Sequence, residues 1–513
     1  METGGATFAV EIMVNRKQES FEFEAIHLDD ESQVHRYVQL EQQIRSAIVD
    51  RLLPAGAKIP SSRNLAKLLN VSRNTVLTAY DQLISEGYLK SSGGSGTRVA
   101  TVLPETFEHK IAKPAPEKFS DIGIEELSSV GKALAQQADP VILSSQKVRP
   151  FLPHVPAVDE FPVDVWNRLT NEQSRWTRQH LVLCEPLGYR PLRESIAEYM
   201  GLSRGVECSP DQVVITSSSQ QSMMLLGQLL IDPGDVVWVE EPGNLPANSL
   251  LQLSGAEIEG IPLDGEGLDL SVAQSTSKSR RSPRMICVTP GGQWPLTMTM
   301  SLNRRLELLA RAQESKSWVV EDDYNGEFRY NGRPHRSLTS LDPTGRTIYM
   351  GTFSKVLFPS IRLAFLVVPR GLAETFAMAK WLQDRGTSPL PQMVLHRFIE
   401  SGNFVKHLRR MRTLYAERQR FLFEGLQEYL GENVVVELPE SGLHLVVFGR
   451  TKKIEQRLIA AAERAEVQFH LVNSYALHPE SDSARGIILG FAAYEKKCSQ
   501  QALKNWATEF HGS

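Results

Sequence analysis

Three short stretches of this chain set reactive side chains close together. Val319-Val-Glu-Asp322-Asp-Tyr324 ends an apolar run on carboxylates and a phenol. Tyr349-Met-Gly-Thr352-Phe-Ser354-Lys355 ends another on an amine, and Arg362 follows seven residues later. Thr216-Ser-Ser-Ser219-Gln220-Gln221 leads a third apolar run into a helical pattern. An amine can attack a carbonyl, and the amides at a helix start can hold an anion. Each stretch also has a plainer reading. A strand-end lysine can snorkel to the surface, a buried aspartate can serve as a cap or ion-pair partner, and a Ser-rich turn can be only a turn.

The elements that would position these groups alternate in type. Val213–Thr216, Val236–Glu240, Met285–Thr289, Trp318–Glu321, Thr347–Met350 and Leu363–Val368 read as buried strands, with helical patterns such as Gln220–Leu230 and Leu302–Gln313 between them. That alternation predicts an α/β fold around a mostly parallel sheet. The length, 513 residues, suggests two to four domains. A composition of 41% hydrophobic and 23% charged residues excludes disorder as the main state. Cys184, Cys208, Cys287 and Cys498 are too scattered for a Cys-x-x-Cys pair, so no metal site or disulfide scaffold is expected. The N-terminus does not read as a signal peptide. The longest uncharged run, Gln212–Ile231, is too rich in Ser, Thr and Gln to span a membrane. A cytoplasmic protein is expected.

Charge is uneven. From His35 to Arg98, nine Lys/Arg face four acids, a balance of +5 in a chain of formal net charge −4, which leaves −9 for the rest. Such a module suits a polyanion. Leu40, Ile44, Ile48 and Leu52 make one helical stripe, ended by Pro54-Ala55-Gly56. Ser61 or Ser62 can cap a second helix carrying Leu65, Ala66, Leu68 and Leu69. Ser72 caps a third, with Val76, Ala79, Tyr80 and Leu83 inward. Gly87 stops it, and two strands around the turn Ser91–Gly96 form a wing. Lys58-Ile-Pro-Ser-Ser-Arg-Asn-Leu-Ala, Val71-Ser-Arg-Asn-Thr-Val, Glu86-Gly-Tyr-Leu and Gly94-Ser-Gly-Thr resemble a GntR-type winged helix. The resemblance implies double-stranded DNA as partner. Arg73, Asn74 and Thr75, with the cap Ser72, would lie at the start of the recognition helix. Arg63 would reach phosphate or base, and Gly94 and Gly96 would let the wing backbone approach DNA.

Together and in order, the three reactive stretches resemble a fold-type I pyridoxal-phosphate (PLP) enzyme of the aminotransferase group. The resemblance implies PLP as cofactor, with a Schiff base at Lys355, Asp322 on the pyridine nitrogen and Tyr324 near the ring hydroxyl. Arg362, Ser354, Thr352 and the amides of Ser219 and Gln220 would hold the phosphate. The whole plan, a winged helix, a tether and an aminotransferase-like body, is similar to the MocR-type transcription regulators. Phe161-Pro, Thr289-Pro, Gln293-Trp-Pro, Arg304-Arg305, the stretch from Ser401 to Arg412 and Ser441-Gly-Leu-His carry that similarity further. The expected layout is an extension (1–33), a winged helix-turn-helix (34–101), a linker (102–145), an aminotransferase-like large domain of mostly parallel sheet with helices on both faces (146–385) and a smaller α+β domain (386–513). Within the linker, Leu127–Gln136 is expected to form a short helix.

Four departures from the family pattern fall in the expected cofactor pocket. Asn244 stands where an aromatic residue usually stacks on the ring. Gly292 replaces a histidine. Trp294 and Thr297 replace the Asn and Gly that flank the proline in aminotransferases. Leu183-Cys184 stands where aminotransferases often carry a tyrosine. These departures imply a pocket kept for binding and weakened for catalysis. Arg485 is the expected effector-carboxylate partner, and His444 reads as a structural polar residue. The expected function is a homodimeric, PLP-dependent regulator that senses PLP, an amine or an amino acid. The alternative is a PLP-dependent aminotransferase with an accessory DNA-binding domain, and a PLP-free sensor is a third reading.

Overall fold

The computed structural model describes residues 21–29, 32, 34–92, 96–101, 123–136, 149–175, 184–276, 281–330 and 336–512. Its contacts divide it into two compact units, residues 1–137 and 138–513. Residues 1–20, most of the tether, Gly94 and Leu183 lie outside the described residues.

In the first unit, α1 (Arg36–Val49), α2 (Ser62–Leu68) and α3 (Arg73–Ser85) pack around Leu40, Ile44, Ile48, Leu65, Val76, Ala79 and Leu83. The caps are as read: Ser61 Oγ accepts from the Asn64 amide and Ser72 Oγ from the Thr75 amide. The hairpin β1 (Leu89–Ser92) and β2 (Gly96–Val99) closes the unit. The expected stripe needs one correction. α1 ends before Leu52, which is 40% exposed, and Leu53 turns inward instead at 6%. Leu68 is likewise exposed. Residues 21–29 pack on this core: Ile26 is buried, and Gln39 and Gln43 bond the backbone at Asp29 and His27. In the tether, a helix is present over Ser129–Gln136.

The second unit is built on an eight-stranded sheet of order β3-β10-β9-β8-β7-β4-β5-β6. The strands are β3 (Val213–Thr216), β4 (Val236–Glu241), β5 (Glu257–Asp264), β6 (Gly267–Leu268), β7 (Met285–Val288), β8 (Trp318–Asp323), β9 (Thr347–Thr352) and β10 (Ala364–Val367). β9, β8, β7, β4 and β5 run parallel in succession, and β10 runs antiparallel to both β9 and β3. Both faces of β3, β4 and β10 are buried, as a sheet covered on two sides requires. Helices α4 (Ser219–Leu230) and α5 (Leu245–Leu253) return the chain between strands, and α6 (Ala373–Asp384) leads away from β10, the last strand of this sheet.

A second, antiparallel sheet of order β11-β12-β14-β13 comes from β11 (Val434–Val436), β12 (His444–Gly449), β13 (His470–Leu471) and β14 (Ile487–Gly490). A 28-residue helix, α7 (Asn403–Leu430), precedes it and buries Phe404, Leu408, Met411, Tyr415, Leu422 and Leu426 on one stripe. Residues 149–157 are clamped against this part of the body. The Ala157 amide donates to Tyr415 Oη at 2.9 Å, and Phe151 O accepts from the Gly490 amide at 2.8 Å. A Cβ at Gly490 would stand 2.2 Å from Leu152 O, so only glycine admits this segment.

Candidate functional site

The carboxyl ends of β3, β9, β8, β7 and β4 share one edge of the sheet, where parallel α/β sheets place ligands. Register brings the reactive stretches together there. Thr289, just past β7, falls beside Asp322 of β8, because Val288 pairs with Glu321. Thr352 and Thr216 both pair with Ala364 of β10, so the loop of Lys355, the approach of Arg362 and the start of α4 meet.

Lys355 sits half-buried in the loop after β9, and its Nζ donates to the main-chain oxygen of His154 at 3.0 Å. Burial lowers its amine to about 8. Across the cleft, burial and the charges of Asp323 and Glu240 raise Asp322 to about 7. Glu240 is itself pushed up to about 7 by burial, although it accepts from the Thr289 amide and hydroxyl. Asp323 differs: Arg204 Nε at 2.7 Å and Tyr349 Oη hold it in its charged form, below the usual carboxylate range. The Tyr324 hydroxyl is buried without a hydrogen-bond partner among the described residues.

On the other side, Ser354 N donates to Thr352 Oγ1 at 3.2 Å. Ser218 caps α4 through the Gln221 amide, which leaves the first-turn amides of Ser219 and Gln220 without intrahelical acceptors. Arg362, in a left-handed conformation at φ 51°, is exposed and has no ion pair among the described residues. The Leu363 carbonyl accepts from the Phe353 amide at 3.0 Å, which sets Arg362 beside Ser354.

The departures from the family pattern have physical roles. Asn244 caps α5 through the Ala247 amide and donates a side-chain hydrogen bond to Asp322. Gly292 has no room for a histidine, since a Cβ would meet Ser441 Oγ at 2.9 Å and Asn325 Nδ2 at 3.1 Å. Thr297 holds φ 67°, the left-handed conformation that suits glycine. Cys184 donates to Thr387 O at 3.2 Å. Trp294 is buried, its ring 3.8 Å from that of His154, 4.7 Å from His444 and 4.9 Å from Tyr475.

Arg485 does not join this group. Its guanidinium lies against Glu455 and Gly449 O, and Gly449 is at the opposite end of β12 from His444. The sequence reading missed Glu240, His154, His470 and Tyr475. His154 stands between prolines just past the tether, where no periodicity marks a buried side chain. Glu240 reads only as the end of an apolar run.

In the first unit, Arg63, Ser72, Arg73 and Asn74 are exposed and Thr75 is half-buried. Arg73 Nε reaches Ser62 Oγ at 3.4 Å, which joins the starts of α2 and α3. The Ser72 hydroxyl is engaged by the Thr75 amide and hydroxyl, so it serves the helix first. Gly96 holds φ 92°, and Lys58 lies against it.

The pattern of the gntR family of bacterial regulatory proteins matches residues 36–99, and that of the class I and II aminotransferases matches residues 163–480. A probable rhizopine catabolism regulatory protein, MocR, of Rhizobium meliloti is 37% identical over 484 residues, 94% of this chain and 95% of that protein. The body resembles the Pyrococcus horikoshii kynurenine aminotransferase solved with PMP, with TM-score 0.68 and 28% identity over 76% of this chain and 97% of that one. It also resembles LysN, the α-aminoadipate aminotransferase of Thermus thermophilus solved with N-(5'-phosphopyridoxyl)-L-leucine, with TM-score 0.67 and 26% identity over 74% and 97%. A gntR-type head and a body of the PLP-binding aminotransferase fold, matched end to end by one such regulator, show that this chain belongs to the MocR-type transcription regulators.

Proposed function

We propose that this protein is a cytoplasmic, homodimeric regulator in which Lys355 captures PLP and an effector at that site alters DNA binding by the heads. The observation that carries the reading is the hydrogen bond from Lys355 Nζ to His154 O, because His154 lies on the segment into which the tether runs. A change at the amine therefore acts directly on the root of the tether. The donor set fits PLP. The Tyr324 hydroxyl, without a partner among the described residues, offers a polar contact, and Asp322, raised by burial and then by its acidic neighbours, gains from a cationic ring nitrogen. Arg362, Ser354, Thr352 and the amides of Ser219 and Gln220 would hold the phosphate.

When bound, PLP supplies a carbonyl for amine capture and an electron-withdrawing ring. Lys355, lowered to about 8, offers an appreciable neutral fraction for that capture near neutral pH. Asn244 orients the Asp322 carboxyl, and Trp294 with His154 closes the cleft from water. The exposed apolar face of α6, with Met378, Trp381 and Leu382, supports a contact between two copies.

Titration of the full chain with PLP should yield visible absorbance and, after borohydride, an adduct mapped to Lys355. Binding of a promoter duplex should then respond to PLP or to an added amine. Trapping without any effect on duplex binding would overturn the regulatory reading. The retained Lys355, Asp322 and Tyr324 favour slow transamination as a second reading. Sustained keto-acid turnover at roughly 1 per second or faster would promote it.

A further inference from the structure

The two walls of the cleft differ in charge. Asp322, Glu240 and Asp323 crowd one side. The side facing Lys355 is made of rings: Trp294 and His444 are buried, while His154, His470, Tyr475 and Tyr324 are half-buried. The rings form one assembly. His154 lies 6.4 Å from His444 and 6.3 Å from His470 by centroids, and His470 Nδ1 meets Tyr475 Oη at 2.5 Å. His444 Nε2 is fixed on Pro295 O at 2.9 Å.

Two of its imidazoles, those of His154 and His444, are held in the neutral form at neutral pH. Burial, Lys355 and the other histidines hold His154 well below its ordinary value, and burial pushes His444 down to about 4. Among the described residues, four guanidiniums of the body are engaged elsewhere. Arg204 is paired with Asp323 and Glu327, Arg329 with Glu440 and Arg485 with Glu455. Arg305 is spent on the carbonyls of Met300, Pro290 and Arg336.

We infer that the effector taken at Lys355 is a primary amine without a carboxylate, its body held against the imidazole and aromatic wall. This rests on the reading of Lys355 as the PLP-binding lysine and names the ligand class of that site. A carboxylate brought to this wall would lose its water and find neutral rings, which is unfavourable without a cationic partner. An apolar or ring-bearing amine loses little water there and gains contact with ring faces.

The test uses the PLP-loaded full chain and pairs of probes that differ only in the carboxylate: 2-phenylethylamine against L-phenylalanine, and tyramine against L-tyrosine. The visible spectrum is followed as each is added. In each pair the amine should reach half-effect at a concentration at least about tenfold lower. An amino acid that acts equally well or better overturns the inference. So does silence from all four probes while borohydride still traps PLP on Lys355. Failure to trap PLP on Lys355 at all overturns the underlying reading, and the inference falls with it. Arg485→Ala gives a second measurement. An unchanged ratio within each pair is expected, whereas selective loss of the amino-acid response would make Arg485 a carboxylate partner and overturn the inference.

Discussion

In the head, Arg63, Arg73 and Asn74 stand exposed at the starts of two short helices. In the body, Lys355, Asp322 and Tyr324 are half-buried and follow the carboxyl ends of neighbouring strands, β9 and β8, at one edge of the sheet. The head side chains work through their own charge and donor geometry, because water surrounds them. The cleft side chains work through their neighbours. Two aspartates adjacent in sequence show how strongly: Asp322, beside Glu240 and Asp323, rises to about 7, whereas Asp323, on Arg204 and Tyr349, stays low. One protein thus holds a surface whose chemistry follows from residue type and a pocket whose chemistry follows from environment.

Lys355→Ala gives the sharpest break between the two regions. It should abolish the trapped PLP adduct, read by peptide mass spectrometry, while the head still binds duplex. Trapping on another lysine would show that the cleft is not the site. The next largest effect is on the pH dependence of PLP capture. Because burial places Lys355 at about 8, the capture rate should fall about tenfold per pH unit below that value and level off above it. A rate that keeps climbing well beyond it would point to an exposed lysine.

On the head, Arg73→Ala should cost about 1–3 kcal/mol of specific binding and relax base preference, as measured by competition between duplexes. Affinity should also fall with salt by about 0.9 log units per log unit for each phosphate neutralised. The smallest effect is at Asn244. Asn244→Ala removes the cap of α5 and a bond to Asp322, and should cost about 0.5–2 kcal/mol in thermal stability. Asn244→Tyr loses the same bonds, so a stacking gain of about 0.5–1.5 kcal/mol is largely offset and PLP binding should change little.

Much of the fold is legible because its signals are local. The apolar runs of β3, β7, β8 and β9 lie within a few residues of their observed ends, and Ser61, Ser72 and Gly87 punctuate the head as read. β5 was not legible. Glu257-Ile-Glu-Gly-Ile-Pro-Leu-Asp264 mixes charges, glycine and proline, which a strand covered on its outer side only by the two residues of β6 tolerates and a central strand would not. The slip from Leu52 to Leu53 arose because the helical period was carried past the point where α1 actually ends.

The order of the two modules, the elements and the residue types brought to the sheet edge can all be read along the chain. Periodicity, caps and motif spacing act over a few residues and need no knowledge of the rest. Only the tertiary structure decided that Lys355 bonds His154, 201 positions away, that Asn244 serves Asp322, and that Arg485 turns to Glu455 rather than into the cleft. It also decided that the rings of His154, Trp294 and His444 gather on the side of Lys355. The reason is that contact and protonation depend on strand register and on removal from water, and both are settled by segments remote in the chain.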